Sequence, residues 1–492
     1  MPELQSHWLA ALAFVAYLAM LLWNAMVGRR ESKALADYFV GGRRMGGLVL
    51  GASFFATFAS TNSYIGNAGK GYAYGLPWMT LAVLMVLFTG LSWRFVAPRM
   101  RRFTAATGAL TVPEYLIHRF PSEHRALRTA SAVIIVASSL LYLLAVFKGA
   151  GHLFQLFFDI PYEWAVGLVL AIVVAYTSAG GFYSVVRTDV VQGLMMMLGS
   201  IAIFWFVTQA AGGVGALVTL QAQPKTEYLF TANAGTPFIV LLGVALAGSL
   251  KLFVDPRQIS RFYALRDERS VRQGMWVALI GIVVIQFCLF PVGLYAHGIL
   301  DNVSDTDLIV PTLLNDPAVF PLWVSDLLLV AILAAAMSSL DSVLLVAAST
   351  FFKDLLLPLR RVAFNAGGIG TTRICVVAFA LLAALLALQP PAGIVEITTF
   401  SGSLYAVCFL PPVLLGLYWK RGDAFAVVSA MIAGVTVLLG WLALGWNSWL
   451  HEVFPALAIS TGVYTLLAWH RAALPPDAYK VVAAPVVAAV RQ

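Results

Sequence analysis

Apolar runs of about 20 residues recur between Trp8 and His470, separated by short polar connections. A run of that length crosses the hydrocarbon core of a bilayer as one helix. The pattern predicts about thirteen such spans, beginning near Trp8, Gly46, Pro77, Leu127, Glu163, Thr188, Pro237, Gln273, Leu322, Thr372, Ile394, Phe425 and Glu452. Two runs carry polar residues that hydrocarbon alone would not select. The second, GASFFATFASTNS at 51–63, places Ser60, Thr61, Asn62 and Ser63 at mid-membrane depth. That cluster predicts a helix interrupted so that freed carbonyls can meet a cation, or a buried continuous helix whose hydroxyls bond back to their own backbone. The ninth run carries AAAMSSLDS at 334–342, in which Ala335, Ser338, Ser339 and Ser342 share one helical stripe. Such a stripe suits oxygen coordination of a small hard cation; it equally suits close packing, because Ser and Ala are common where membrane helices touch.

The chain of 492 residues is 61% hydrophobic and 11% charged, too few charges to cover a soluble protein of this size. An all-α polytopic membrane protein is therefore expected. The first run is too long for a signal-peptide core and lacks a basic leader, so it is expected to be a retained helix. Net charge is +8, and its distribution points to topology, not to nucleic acid. All but Lys70, Lys148 and Lys225 of the 31 Lys and Arg fall in alternate connections, Lys251, Arg257 and Arg261 being assigned to the one after span seven. The positive-inside rule then puts those connections in the cytoplasm, the N-terminus outside and the C-terminus inside.

Several function classes find no support. Cys288, Cys375 and Cys408 lie in apolar runs without CxxC spacing, and the seven His form no metal-site pair. No phosphate-binding glycine loop argues for an ATP-driven pump. Neither a nucleophile with its base, for an enzyme, nor a repeated filter sequence, for a channel, is evident. No cofactor is expected. The segment 471–492 is short for the signalling module of a sensor.

Three segments together resemble the sodium:solute symporter family: DYFVGGRRMG at 37–46, GGFYSVVRTDVVQG at 180–193, and AAAMSSLDS at 334–342 followed by Lys353 and Asp354. DPRQ at 255–258 with Arg261 is a supporting match. The resemblance runs from about residue 37 to about 422 and implies a LeuT-type core of five-plus-five inverted repeats, spans two to six and seven to eleven. The expected division is 1–44 peripheral helix and loop, 45–422 core, 423–470 peripheral helices and 471–492 cytoplasmic tail. It further implies a sodium ion held by the carbonyls of Ala56, Ala59 and Ala335 and the hydroxyls of Ser338 and Ser339. Neutral oxygens suit a monovalent ion that must leave again. For Asp189 it implies either a second ion shared with Asp341, Ser342 and Ser338, or a guard on the cytoplasmic exit. Without such a role, Asp189 is expected to pair with Arg187 or another cytoplasmic base, and Asp341 to be a hydrogen-bonded buried acid. The chain departs from the family at Phe58, where some members carry Asp or Asn, which puts their direct polar contacts to solute in question.

Lys148 interrupts an apolar run in the third core helix. A cation there needs a partner; a solute carboxylate is one, and the headgroup region reached by snorkelling is another. Lys70 is expected to attract anions into a vestibule or to be merely solvated. Ser60, Thr61, Ser63 and Lys148 are the expected solute-facing residues. Together these features favour sodium-coupled import of a small organic anion across the plasma (inner) membrane. Proton coupling, and a neutral sugar or amino acid as solute, remain the alternatives. The expected partners are the solute, sodium and the lipid bilayer.

Overall fold

A computed structural model describes residues 8–122, 125–301, 303–359 and 368–470. The long elements are α1 (Trp8–Glu31), α2 (Gly47–Phe58), α3 (Asn67–Tyr74), α4 (Met79–Leu91), α5 (Ala126–Phe158), α6 (Tyr162–Ala210), α7 (Phe238–Leu250), α8 (Pro256–Ala264), α9 (Glu268–Ala296), α10 (Leu322–Thr350), α11 (Gly368–Ala387), α12 (Ile394–Leu410), α13 (Ala424–Ala443) and α14 (Val453–His470). Among the described residues, eleven helices are long and apolar enough to cross a membrane.

Two departures account for the difference from thirteen. The 49 residues of α6 would extend about 73 Å as one helix, more than twice the hydrocarbon thickness. Gly181, at φ 65° and ψ −171°, breaks the run between the two expected spans. A side chain is strained in that region, and Tyr38 fills the space where a Cβ would project. The second expected span is too short on either side of its interruption: α2 stops at Phe58, and Ala59 is extended at φ −68°, ψ 122°. A wide i→i+5 turn over Asn62–Gly66 then leads into α3.

The seventh expected span is interrupted as well. α7 passes into a tight turn at Lys251–Phe253, and α8 starts at Pro256 with Asp255 as its cap, Oδ1 accepting from Arg257 N at 2.9 Å. The two interrupted helices lie five spans apart, the spacing an inverted five-helix repeat requires. α10 is buried along almost its whole length and packs on α5 and α6, while α2 and α3 lie along α9. That last approach is very close: a Cβ at Gly51 would sit 2.5 Å from the Gly274 carbonyl oxygen, so α2 and α9 touch backbone to backbone. α1 packs along α6, and its Ala10 N–H donates to Asp326 Oδ2 at 3.1 Å. α13 and α14 pair with each other and against α12.

Candidate ion and solute site

Where α2 ends, backbone carbonyls lose their i+4 donors. Ala59 N still bonds Phe55 O at 2.8 Å, and regular bonding resumes with Ser63 N on Ser60 O at 2.9 Å. Between these points the carbonyls of Ala56, Thr57 and Ala59 must find other partners inside the protein. α10 supplies them. Ser338 Oγ donates to Ala56 O at 2.7 Å and lies 3.5 Å from Ala335 O. Ser339 Oγ donates to Thr57 O at 3.1 Å and lies 3.4 Å from Ala59 O. The break and the serine stripe therefore face each other, with every member fully buried. Thr57 O joins the five oxygens expected from the sequence. The set is neutral and all oxygen, which matches the hard-donor preference of an alkali cation. Each hydroxyl gives its single proton to a carbonyl and keeps lone pairs for an ion.

Next to these oxygens lies a charged cluster centred on Arg261, a residue the sequence placed in a connection. Its Nη2 donates to Asp189 Oδ2 at 3.0 Å, Thr57 Oγ1 at 2.6 Å and Ser342 Oγ at 2.7 Å, and its Nε donates to Ser53 Oγ at 3.0 Å. Ser53 Oγ in turn donates to Asp189 Oδ2. Ser342 Oγ also donates to Asp341 Oδ1 at 3.3 Å. Asp189 Oδ1 and Asp341 Oδ2 have no hydrogen-bond partner among the described residues. The partner of Asp189 is thus Arg261 and not Arg187, which is exposed. Of the four residues expected for a second ion, Asp189 and Ser342 already hold the guanidinium. A further cation there would meet like-charge repulsion at low dielectric.

The expected solute residues separate. Ser60 turns back on its loop, Oγ accepting from Asn62 N at 3.2 Å. Thr61 packs on α5, its Oγ1 2.7 Å from where a Cβ at Gly149 would project. Ser63 lines a small cavity, about 10 Å³ in volume, with Phe58, Asn62, Tyr142, Lys251, Thr398 and Thr399. A second cavity of about 400 Å³, bordered by Lys70, Tyr74, Trp78, Glu396 and His451, shares Val244, Val395 and Thr399 with the first. The two cavities therefore lie side by side and share part of a wall. Lys70 is not simply solvated there: its Nζ pairs with Glu396 Oε1 at 2.5 Å.

Lys148 does not reach into the small cavity. Its Nζ donates to Asp307 Oδ2 at 3.0 Å and to Ala392 O at 3.3 Å, and Asp307 Oδ2 also accepts from Ile394 N at 3.3 Å. The cation that the sequence offered to a solute carboxylate is already neutralised by the segment before α10. Both side chains are nearly buried, 11% and 7% exposed, so removing one partner strands the other. Lys148→Met is expected to cost about 3 kcal/mol and to lower the melting temperature of the purified protein. Lys148→Met combined with Asp307→Leu should recover most of the loss. Equal melting temperatures for the single variant and the native protein would show the pair to be immaterial.

The charged residues that sequence reasoning missed are Lys251, Arg257 and Arg261. Each is buried, and each had been assigned to the basic connection after span seven. The available signal was Lys251 itself, which breaks the apolar run that starts at Phe238.

Comparison with known proteins decides the family. The model of the sodium:solute symporter family matches residues 38–434. The chain belongs to that family. This symporter is 31% identical over 461 residues to the osmoregulated proline transporter OpuE of Bacillus subtilis, covering 92% of the chain and 90% of the relative. It is 30% identical to the sodium/pantothenate symporter of Escherichia coli, covering 91% and 94%. Among solved structures, a Na+-coupled sialic acid symporter in its substrate-bound outward-open state superposes with a TM-score of 0.81. At 20% identity over 94% of this chain and 98% of that one, the match shows a shared fold. The symporter is thus a LeuT-type, multi-pass plasma-membrane transporter and not an enzyme, and family membership supports sodium as its coupling ion.

Proposed function

We propose that this symporter imports a small carboxylate-bearing solute together with sodium, with its arginine-rich face in the cytoplasm. The observation that carries the reading is the meeting of the Ser338 and Ser339 hydroxyls with the orphaned carbonyls of the α2 break. Proline, pantothenate and sialic acid, named for similar proteins, all carry a carboxylate, which supports a solute with that group, whether anion or zwitterion.

Sodium held by Ala56, Ala59, Ala335, Ser338 and Ser339 ties α2 to α10. Phe58 lies inside the same break and its side chain lines the small cavity. Ordering the break for the ion therefore also sets one wall of the solute site, so each ligand favours the conformation the other needs. One net charge moving inward through 100 mV releases about 2.3 kcal/mol, which is available when the solute is a zwitterion; with a monoanion the two charges cancel and the sodium concentration gradient supplies the drive.

The test compares the detergent-purified protein in sodium chloride and in choline chloride, then measures uptake of proline, pantothenate and lactate into proteoliposomes. Sodium is expected to raise the melting temperature, and an inward sodium gradient to drive uptake. Uptake that ignores sodium and collapses with the proton gradient would replace this reading by proton coupling.

A further inference from the structure

We infer that Lys251 is the cation that receives the carboxylate of the transported solute. This rests on the symport reading and names the group on which its solute selectivity turns. Lys251 is 6% exposed, and it lines the small cavity at the break of α2. Its ammonium lies 5.3 Å from the ring centre of Phe58 and 5.4 Å from that of Tyr142. Among the described residues it has neither an ion pair nor a hydrogen bond of its own. The nearby acid, Asp255, is fully engaged. Arg257 Nε reaches its two oxygens at 3.0 and 3.1 Å, and Nη2 donates to Oδ2 at 2.5 Å. Arg257 in turn stacks on the Tyr142 ring, 3.9 Å from its centre.

The contrast with the other buried cations is the argument. Lys148 has Asp307, Arg257 has Asp255, Arg261 has Asp189, Arg101 has Glu268 and Lys353 has Glu114, while Arg119 donates to the Gly416 and Trp419 carbonyls. Lys251 has two aromatic faces, which attract a cation but do not neutralise it. An ammonium at that depth is expensive without a counter-charge, so the cavity beside it is prepared for an anion. At about 10 Å³ the cavity holds little more than a water in this conformation, and a solute takes its place only as the break of α2 opens; the walls it would then meet have the chemistry of a small acid's partners. Ser63, Thr398 and Thr399 offer hydroxyls, Asn62 Oδ1 is buried with no hydrogen-bond partner among the described residues, and Phe58 and Leu81 are apolar. One ammonium matches one negative charge, which favours monocarboxylates over dianions. Val244, Val395 and Thr399 line both this cavity and the larger one of about 400 Å³, which sets Lys251 beside the roomier space.

The test uses the full-length purified protein in constant sodium chloride, with pantothenate, L-proline and L-lactate as probes. Each is compared with its uncharged or carboxylate-free counterpart: pantothenol, prolinamide and lactamide. At least one acid is expected to raise the melting temperature of the native protein while its counterpart does not. Lys251→Met should weaken that acid about 10- to 100-fold, the worth of a charged hydrogen bond, with the sodium-induced shift retained. Without solute, the same variant should melt higher than the native protein, because an unpaired charge has been replaced by an apolar chain. Native affinity for the acid in Lys251→Met, a lower melting temperature without solute, or equal binding of the counterparts would each overturn the assignment. So would a native protein that responds to sodium but to none of the acids. A native protein that shows no sodium response overturns the symport reading instead, and the solute-free melting temperature of Lys251→Met still judges the lysine.

Discussion

Replacing Ser339 by alanine is expected to weaken sodium binding by about 10- to 100-fold, as deletion of one oxygen facing a charge does, while the protein still folds. The Ser339 hydroxyl bridges the Thr57 and Ala59 carbonyls on the far side of the α2 break. Removing it deletes one ligand and leaves those carbonyls without a donor. The first loss appears only when sodium is present; the second lowers stability in any salt. Melting curves over a sodium chloride series separate the two, since the variant should start lower and also need more salt to reach its plateau. Ser349→Ala is the control. Ser349 lies further along α10 and its hydroxyl donates to Val346 O of its own helix at 3.1 Å, so its salt dependence should stay native. If Ser339→Ala keeps the native sodium midpoint, Ser339 is a packing residue and the ion lies elsewhere.

The residues of this expectation were visible in the sequence because polar atoms inside apolar runs are conspicuous, whereas the choice of an ion over close packing came from the family resemblance. Ser60–Ser63 and Ser338–Ser342 each stand out against hydrocarbon, and helical spacing suffices to put the serines on one face. The meeting of the two segments needed the fold, since 282 residues separate Ser338 from Ala56. The buried cations were hidden for a different reason. Counting basic residues per connection sorts orientation well, but it treats every Arg near a span end as interfacial. Arg261 and Lys251 were absorbed into that count, although α7 and α8 are interrupted and carry both into the protein. Partners were equally invisible: Lys148 and Asp307 are 159 residues apart, and Asp189 and Arg261 are 72 apart. Local periodicity carries no information at that separation. The eleven long apolar helices differ from the thirteen expected spans at the same kind of place, where Gly181 divides one long run and the extended Ala59 divides a short one without changing their apolar composition.

Arg261→Met is expected to destabilise the symporter more than any other single change considered, by about 3 to 5 kcal/mol, the range for breaking a buried ion pair. Arg261 reaches across from α8 to α2, α6 and α10 through Thr57, Asp189 and Ser342, so one side chain closes a ring of four elements. Without it, Asp189 keeps a full charge with only the Ser53 and Thr57 hydroxyls for company, and Asp341 loses the nearest positive charge. If the cost is the stranded carboxylate, Arg261→Met with Asp189→Asn should return most of the lost melting temperature, because an amide needs no counter-charge and can still accept from Ser53. If the cost is lost packing of the long side chain, the double variant should be no better than the single one. The comparison also bears on the ion count. With arginine and aspartate both neutralised, Asp341, Ser342 and Ser338 no longer face a guanidinium. A second sodium-dependent transition in the double variant alone would mean that Arg261 occupies, in the native protein, the place of an ion. A single transition in both proteins would confine sodium to the oxygens at the α2 break, and leave Arg261 as the tie between the helices that must move apart to release it.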